Sequence, residues 1–514
     1  MSNTVAQEGI QISCDYLVIG AGTSNLSFVD TLLELLPGYT FILADRFPRP
    51  GGHWTKAYPF VQLHQTSCSY GVNSLQLGKN RSRRGFERFD HSDRATGEEV
   101  CEYYSKVVER FKATERVKAM FNTEYTWDED TRAHRLTSVD GKRYVVTCTK
   151  IVQTESKVIV PSMRDVPFPT DEGVEVVPIN ALPEKLTGGS SKSKYVIIGA
   201  GKSGTDAVSY LLSQGIDENA ITWIISRDVW YFIRDGLWPR SVPGGKYHAN
   251  IYRNLLKPLL KASNCDEYFL EMEKAGSAGR IDPNGPVPPL IFKGAMIDKS
   301  ELEGIRKVTN IVKMGRVTSI TCDEIILERG VVPFSSESTL VVDCMAEDVY
   351  GYLSFGKDFE IFNPGRIRLG PPILIFNPSF TAALVAFLES EYSEDDVKNR
   401  FLYFGKDMDK FANMKNVFIL SLYAHLKTLD VVGKKCKGGL EFITTSRTNN
   451  DAIIHHRGIL PLLWALFGPM RLDKKVKKLM KRIETGGYKG IDSTNLPRRR
   501  ALDATEVEAA RRIK

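Results

Sequence analysis

The chain has 514 residues, with 42% hydrophobic and 25% charged residues. That is too long for one core and ordinary in composition for a globular protein of two or three domains. The formal charge is +7, but 15 Lys/Arg against 6 Asp/Glu fall between Arg457 and Lys514, leaving about −2 for the rest and excluding a body-wide nucleic-acid field.

The eight cysteines, Cys14, Cys68, Cys101, Cys148, Cys265, Cys322, Cys344 and Cys436, make no C-x-x-C pair. This argues against a zinc site, a disulfide framework or a dithiol centre, and a reducing, cytoplasmic compartment is the expectation. The first 14 residues show neither a basic nor an apolar leader region, so no secretory signal is expected. The longest apolar run, GILPLLWALFGPM from Gly458 to Met470, is too short to span a bilayer.

In chain order, Tyr16 to Ile19 reads as a buried strand, Thr23 to Leu36 as a helix stopped by Pro37-Gly38, and Thr40 to Ala44 as a second strand closed by Asp45. This is a β-α-β unit around the turn GAGTSN. Glu98 to Ala119 is expected to be helical, followed by alternating segments up to Val152. Tyr195 to Gly204, YVIIGAGKSG, repeats the opening and leads into a helix (Thr205 to Leu212) and a strand (Ile221 to Ile225). One such fingerprint is weak evidence. Two, each between an apolar strand and a helix, are strong. Trp238 to Pro289 reads as an insertion over the second site, with a helical piece at Asn254 to Lys261. A strand at Thr339 to Asp343 precedes FNPSFTAALVAFLE, a turn into a helix, and the last fifty-odd residues read as charged helix and linker broken by TGGYKG.

In the first loop, Gly20 serves the tight turn and Gly22 the close approach of a pyrophosphate to backbone amides at a helix start. Asn25 stands where a third glycine governs helix–strand packing. Asp45, at the end of the second strand, is placed to accept from ribose hydroxyls. After it come Gly51-Gly52-His53-Trp54 and the polar run His64, Gln65, Thr66, Ser67, Tyr70 and Asn73. Together these could bed a flavin ring and donate to its polar edge; a buried loop with satisfied polar groups is the plainer alternative. The second loop is a complete G-x-G-x-x-G at Gly199, Gly201 and Gly204, with Lys202 and Ser203 at the helix start. The next strand ends in Ser226-Arg227-Asp228, and an Arg there suits a 2′-phosphate, hence NADPH over NADH.

These two loops, Asp45, the GGHW segment and GAGKSG resemble the FAD- and NADPH-dependent monooxygenases of the flavin-containing monooxygenase and N-hydroxylase type. The resemblance runs from about Asp15 to Leu388. It implies an α/β fold with two Rossmann-like dinucleotide-binding domains, a helical insertion and a helical C-terminal tail. The corresponding divisions are 1–160 (FAD domain, first part), 161–330 (NADPH domain with insertion), 331–405 (FAD domain, return segment) and 406–514 (helical C-terminal region). It implies FAD on Gly20, Gly22, Thr23, Ser24, Asn25, Asp45, Arg46, Gly52, His53, Trp54, His64, Gln65 and Tyr70. NADPH would lie on Gly199, Gly201, Lys202, Ser203, Gly204, Ser226 and Arg227. The chain departs from that family at VEVVPINALPEKL, Val174 to Leu186, where F-x-G-x-x-x-H is usual, and at Gln153-Thr154-Glu155 in place of A-T-G.

The implied chemistry is hydride transfer from NADPH to flavin, formation of a flavin C4a-peroxide with O2, and transfer of one oxygen atom to a small organic substrate. Gln65, Ser67 and Asn73 are the candidate contacts to the peroxide or the flavin edge. His53 and His64 are more often structural than acid–base groups in such a setting. Two other readings stay open: an NADPH-dependent flavin oxidoreductase or oxidase without oxygen insertion, and a non-enzymatic flavin- or nucleotide-binding protein. Trp230, Tyr231, Phe232 and Trp238 are read as an apolar wall for substrate. No metal and no nucleic-acid partner is expected. The apolar run up to Met470 followed by DKKVKKLMKR reads as a core helix followed by a solvated basic helix, with weak contact to an anionic membrane surface as its alternative.

Overall fold

The computed structural model describes residues 9–78, 80–83, 86–89, 93–155, 159–188, 192–237, 252–346, 358–370, 377–404, 414–449, 477–489, 491, 496 and 499–512. Strand β1 (Ile10–Ile19) carries the apolar YLVI run, in which Leu17 and Val18 are fully buried. A strand covered on both faces needs such a run. Helix α1 (Thr23–Leu35) follows the glycine turn, and β2 (Phe41–Ala44) pairs parallel to β1, with Tyr16 opposite Phe41 and Ile19 opposite Ala44.

Helix α2 (Gly97–Lys112) starts at a Thr96–Glu99 capping box. It ends earlier than the expected Ala119, because Glu115 turns the chain at φ 59° and Val117–Met120 becomes β3 beside β2. The β-branched Val117 and an open sheet edge override helical periodicity there. An antiparallel pair, Thr123–Asp128 and Ala133–Ser138, leads into β4 (Arg143–Thr154), which lies parallel to β1 on its other side.

The second body is a five-stranded parallel sheet. Its centre is β5 (Lys194–Ile198), followed by α3 (Lys202–Ser213) and β6 (Ile221–Ile224), with β7 (Thr339–Asp343) on the other side of β5. Ile311–Val312 and Val176–Pro178 form the edges. A mixed sheet with a parallel centre and a fully parallel sheet, each with a glycine turn after an inner strand, make the fold α/β.

The chain returns to the first sheet at Phe362–Asn363 and β8 (Arg366–Leu369), which pairs parallel to β4. The expected return segment began at 331, but β7 belongs to the second sheet, so the crossing falls after Asp343. Helix α4 (Pro378–Glu391), capped by Asn377, then packs on α1, where the Ser27 hydroxyl donates to the Ser379 carbonyl at 2.8 Å.

A third core joins the insertion to the C-terminal region. Phe232, Phe269 and Phe292 meet Phe418 and Tyr423 of α5 (Met414–Lys435) and Leu479, Met480 and Ile483 of the helical stretch 477–484. In that stretch Lys478 and Lys481 stay exposed, the pattern of a core helix with a solvated basic face. Residues 458–470 and Trp238 lie outside the described residues. Trp230, Tyr231 and Phe232, expected as a substrate wall, are at most 3% exposed and belong to packed cores, a correction that their burial in a sheet strand explains.

Residues 499–512 come back to the first body. The Arg512 guanidinium donates to the Tyr39 hydroxyl at 2.8 Å and to the Glu389 carboxylate at 3.2 Å. Glu389 is fully buried and also receives Lys398, Lys150 and the Tyr16 hydroxyl. Buried carboxylates persist only with such compensation. No described helix is long and apolar enough to cross a membrane, and no group of described residues could hold a metal ion. All eight cysteines are free thiols.

Candidate dinucleotide sites and their junction

The first loop is a left-handed turn at Gly20 (φ 99°) leading to α1, whose N-cap Gly22 brings no side chain to the helix start. Amides there stay available to an anion. Asn25 replaces the third glycine by bonding. Its Nδ2 donates to the carbonyls of Ile19 (2.6 Å) and Gly20 (2.8 Å), and its Oδ1 accepts from the Thr154 hydroxyl at 3.0 Å. Asp45 is buried, and its carboxylate accepts from the amides of Ala21 (2.5 Å) and Phe47 (2.8 Å). Burial raises its pKa against those two bonds. Arg46 is exposed and lies over the Phe47 ring.

The GGHW segment docks on this loop. The Gly51 amide donates to the Ala21 carbonyl at 2.9 Å, and a Cβ on Gly52 would stand 3.1 Å from the Gly22 Cα. Only glycine allows that approach at φ 58°. The Trp54 indole donates to the Tyr70 hydroxyl at 2.7 Å, which lies 2.5 Å from the Thr23 hydroxyl, itself receiving the Tyr104 hydroxyl at 2.9 Å. The head of α1 is thus ringed by Trp54, Tyr70 and Tyr104.

His53 and His64 are half-buried and neutral near pH 7. Burial pushes His53 down to about 4, and burial with Lys202, Arg234 and Arg94 pushes His64 down to about 3. The Gln65 Nε2 is buried without a partner among the described residues. Ser67 is buried, donating to the Asp93 carbonyl (3.1 Å) and accepting from the Ala95 amide (2.7 Å). The Asn73 Oδ1 accepts from the Ser446 and Thr448 hydroxyls, each at 2.9 Å, and from the Thr448 amide at 3.2 Å.

In the second loop Gly199 has φ 124°. A Cβ on Gly204 would fall 2.1 Å from the Gly199 carbonyl oxygen, whereas one on Gly201 would meet nothing within 4 Å. So Gly204 is required by helix–strand packing, and Gly201 leaves open space where a phosphate would approach. The Gly199 carbonyl accepts from the Trp223 indole at 2.8 Å, the same service that Asn25 performs for Gly20. Lys202 turns inward to Asp206 and to Glu301 at 2.6 Å, and these acids outweigh burial and raise its pKa. Ser226 is half-buried and Arg227 exposed, while Asp228 is ion-paired to Lys313 at 2.9 Å.

The two bodies meet through the segment after GGHW. The Tyr58 hydroxyl donates to Asp206 at 2.5 Å and is within reach of Ser203, and Phe60 stacks on Tyr210 with centroids 4.1 Å apart. Arg234 donates to the His64 carbonyl (2.8 Å) and to Asp298 (2.5 Å), which also faces Arg94 at 3.3 Å.

No protein-family model matches the chain. It is 34% identical over 391 residues, covering 76% of this chain and 69% of the relative, to the uncharacterized protein Rv2000 of Mycobacterium tuberculosis. The same values hold for the uncharacterized protein Mb2023 of Mycobacterium bovis. The chain belongs to the same family as these uncharacterized proteins. Among solved structures, oxidized steroid monooxygenase bound to NADP is 15% identical, covering 93% of this chain and 99% of that one, with a TM-score of 0.48. A cyclohexanone-bound cyclohexanone monooxygenase is 15% identical over 74% of this chain and 86% of that one, with a TM-score of 0.45.

The segment Val174 to Leu186 contains the edge strand Val176–Pro178 and the start of a short helix, Leu182–Thr187. Its Asn180 donates to the Lys56 carbonyl at 3.0 Å, touching the GGHW turn. Sequence reasoning missed Tyr58, Asp206, Arg234 and Arg447. Tyr58 alone carried a local signal, as an aromatic residue in the polar stretch after GGHW.

Proposed function

We propose that the chain is an FAD-dependent, NADPH-consuming monooxygenase that inserts one oxygen atom from O2 into a small organic substrate. What carries this reading is the pairing of two glycine loops. Each opens the helix that follows an inner parallel strand of its own sheet, and the segment that covers the first loop reaches the second through Tyr58 and Asp206. The residues present fit the two cofactors. Gly201 leaves a cradle that a Cβ would fill, Gly22 brings no side chain to the head of α1, and the Gln65 Nε2 is a buried donor without an acceptor among the described residues.

When bound, FAD and NADPH supply the hydride and oxygen chemistry. The chain's part is to hold and shield them. Amides at the heads of α1 and α3 receive the pyrophosphates. Asp45 keeps lone pairs for a ribose hydroxyl beyond its two amide bonds. Arg227 meets a 2′-phosphate, with Asp228 neutralised by Lys313. Neutral His53 and His64 act as hydrogen-bonding groups, since their depressed pKa values make them weak bases near pH 7.

A second reading, an NADPH-driven flavin oxidoreductase without oxygen insertion, draws support from Ser67 and Asn73. The Ser67 hydroxyl and the Asn73 Oδ1 are engaged by protein partners, which leaves the amide groups of Gln65 and Asn73 as the oxygen-side donors. The purified protein should be yellow, bleach on NADPH addition, and form product carrying oxygen-18 from labelled gas. Bleaching with peroxide release and unlabelled product selects the second reading. A protein that takes up no flavin and ignores NADPH refutes both, leaving at most a non-enzymatic nucleotide binder.

A further inference from the structure

Arg447 lies in the turn after the helix Gly439–Thr445, far along the chain from the first glycine loop. Its Nη1 donates to the Cys68 carbonyl at 2.6 Å, its Nη2 to the Tyr70 carbonyl at 3.0 Å and also to Val72, and its Nε to the Val72 carbonyl at 3.1 Å. Burial lowers its pKa. Cys68 lies in the 3-10 turn Ser67–Ser69 and Gly71 has φ 91°, so the chain bends and its carbonyls at 68, 70 and 72 converge on one guanidinium; a planar fork of five donors can bridge all three where an ammonium cannot. The bridged segment carries Tyr70, whose hydroxyl joins Thr23 at the head of α1 to the Trp54 indole. The neighbouring Ser446 and Thr448 hold Asn73, and the Thr448 carbonyl accepts from Asn377 at the start of α4.

We infer that Arg447 is a positioning residue of the first dinucleotide site: by bridging the carbonyls of Cys68, Tyr70 and Val72 it sets where the Tyr70 hydroxyl meets Thr23 and Trp54. This rests on the reading that the first loop holds FAD. Thr23 is the first residue of α1, so a displaced Tyr70 alters the surface on which the pyrophosphate and the adjoining ring would lie. A lysine at 447 keeps the charge but reaches fewer carbonyls. The guanidinium fork is therefore the part that matters.

The test is a double-mutant cycle of Arg447→Met and Tyr70→Phe, with Arg447→Lys as the milder variant that keeps charge and length. Two quantities are read in the full-length protein: the FAD dissociation constant, and the Trp54 emission of FAD-stripped protein, taken as a difference against Trp54→Phe. Arg447→Met and Arg447→Lys should each weaken FAD retention about tenfold or more and shift the Trp54 emission, and the double mutant should be no worse than the weaker-binding single variant. Losses that multiply in the double mutant, full retention in Arg447→Lys, or an unmoved Trp54 emission in both Arg447 variants would overturn the inference. A wild-type chain that binds no FAD sinks the cofactor reading instead, and the Trp54 signal, read without cofactor, still decides whether Arg447 acts through Tyr70.

Discussion

The carboxamide of Asn25 accepts from the Thr154 hydroxyl at 3.0 Å while donating to the carbonyls of Ile19 and Gly20. The residue in the third-glycine place thereby ties the ends of two neighbouring strands, β1 and β4, to the start of α1. Replacing it with an isosteric apolar residue, Asn25→Leu, leaves these buried partners unpaired. Three neutral hydrogen bonds at about 0.5–1.5 kcal/mol each put the loss at about 2–4 kcal/mol. Urea unfolding should show this as a lower midpoint with an unchanged slope, and Asn25→Leu with wild-type stability would refute the role.

Gly201 and Gly204 separate packing from ligand approach. Gly204→Ala drives a methyl group into the Gly199 carbonyl and should lower stability by about 1–3 kcal/mol. Gly201→Ala meets open space and should stay within about 0.5 kcal/mol of wild type. It should nonetheless weaken NADPH binding, because the new methyl group occupies the cradle. Thermal melts and NADPH titration on the same preparations check both halves, and a stable Gly204→Ala would count against the packing argument.

Arg227 should set the choice between NADPH and NADH. Losing a charge-assisted contact of about 1.5–3 kcal/mol corresponds to about tenfold or more in affinity. Arg227→Ala should raise the KM for NADPH by at least that factor while NADH is used as before. Equal losses for the two nucleotides would remove Arg227 from the 2′-phosphate site.

His53 and His64 should make the fold acid-sensitive. Their folded pKa values, about 4 and about 3, lie below the ordinary 6.5. Below pH 6.5 the unfolded chain therefore binds protons that the folded chain refuses. Stability is fully present above pH 6.5 and falls as the pH drops towards 4, by up to about 1.4 kcal/mol per pH unit for each histidine. Denaturant titrations at pH 7, 6 and 5 should show this slope, and His64→Gln should flatten it. An unchanged slope in the variant would assign the effect elsewhere.

Both glycine loops, their strands and helices, Asp45 and the GGHW turn were legible because each depends on neighbours in the chain. Gly20 and Gly199 need left-handed turns, and the apolar runs YLVI and YVII mark strands covered on both faces. The junction was not legible. Tyr58 meets Asp206 across 148 positions and Arg447 meets Cys68 across 379, and no local pattern announces such partners. Asn73 and Ser67 show the converse. Their polarity drew attention to a ligand, and the structure adds protein partners the sequence did not announce: Asp93 and Ala95 for the Ser67 hydroxyl, Ser446 and Thr448 for the Asn73 Oδ1. The stretch Trp230 to Phe232 was aromatic enough for a pocket wall and became core, since a buried strand and a lining strand share one composition.

Arg512 bonds Tyr39 from 473 positions away, and β8 reaches β4 only after the whole second body has been laid down. On a ribosome the second sheet, whose strands all lie between Val176 and Asp343, emerges complete while the first still lacks β8, α4 and two of the cations that meet Glu389, Lys398 and Arg512. Vectorial synthesis therefore lets the later-encoded body mature first. The earlier one waits, with one face of α1 uncovered, until α4 has been made.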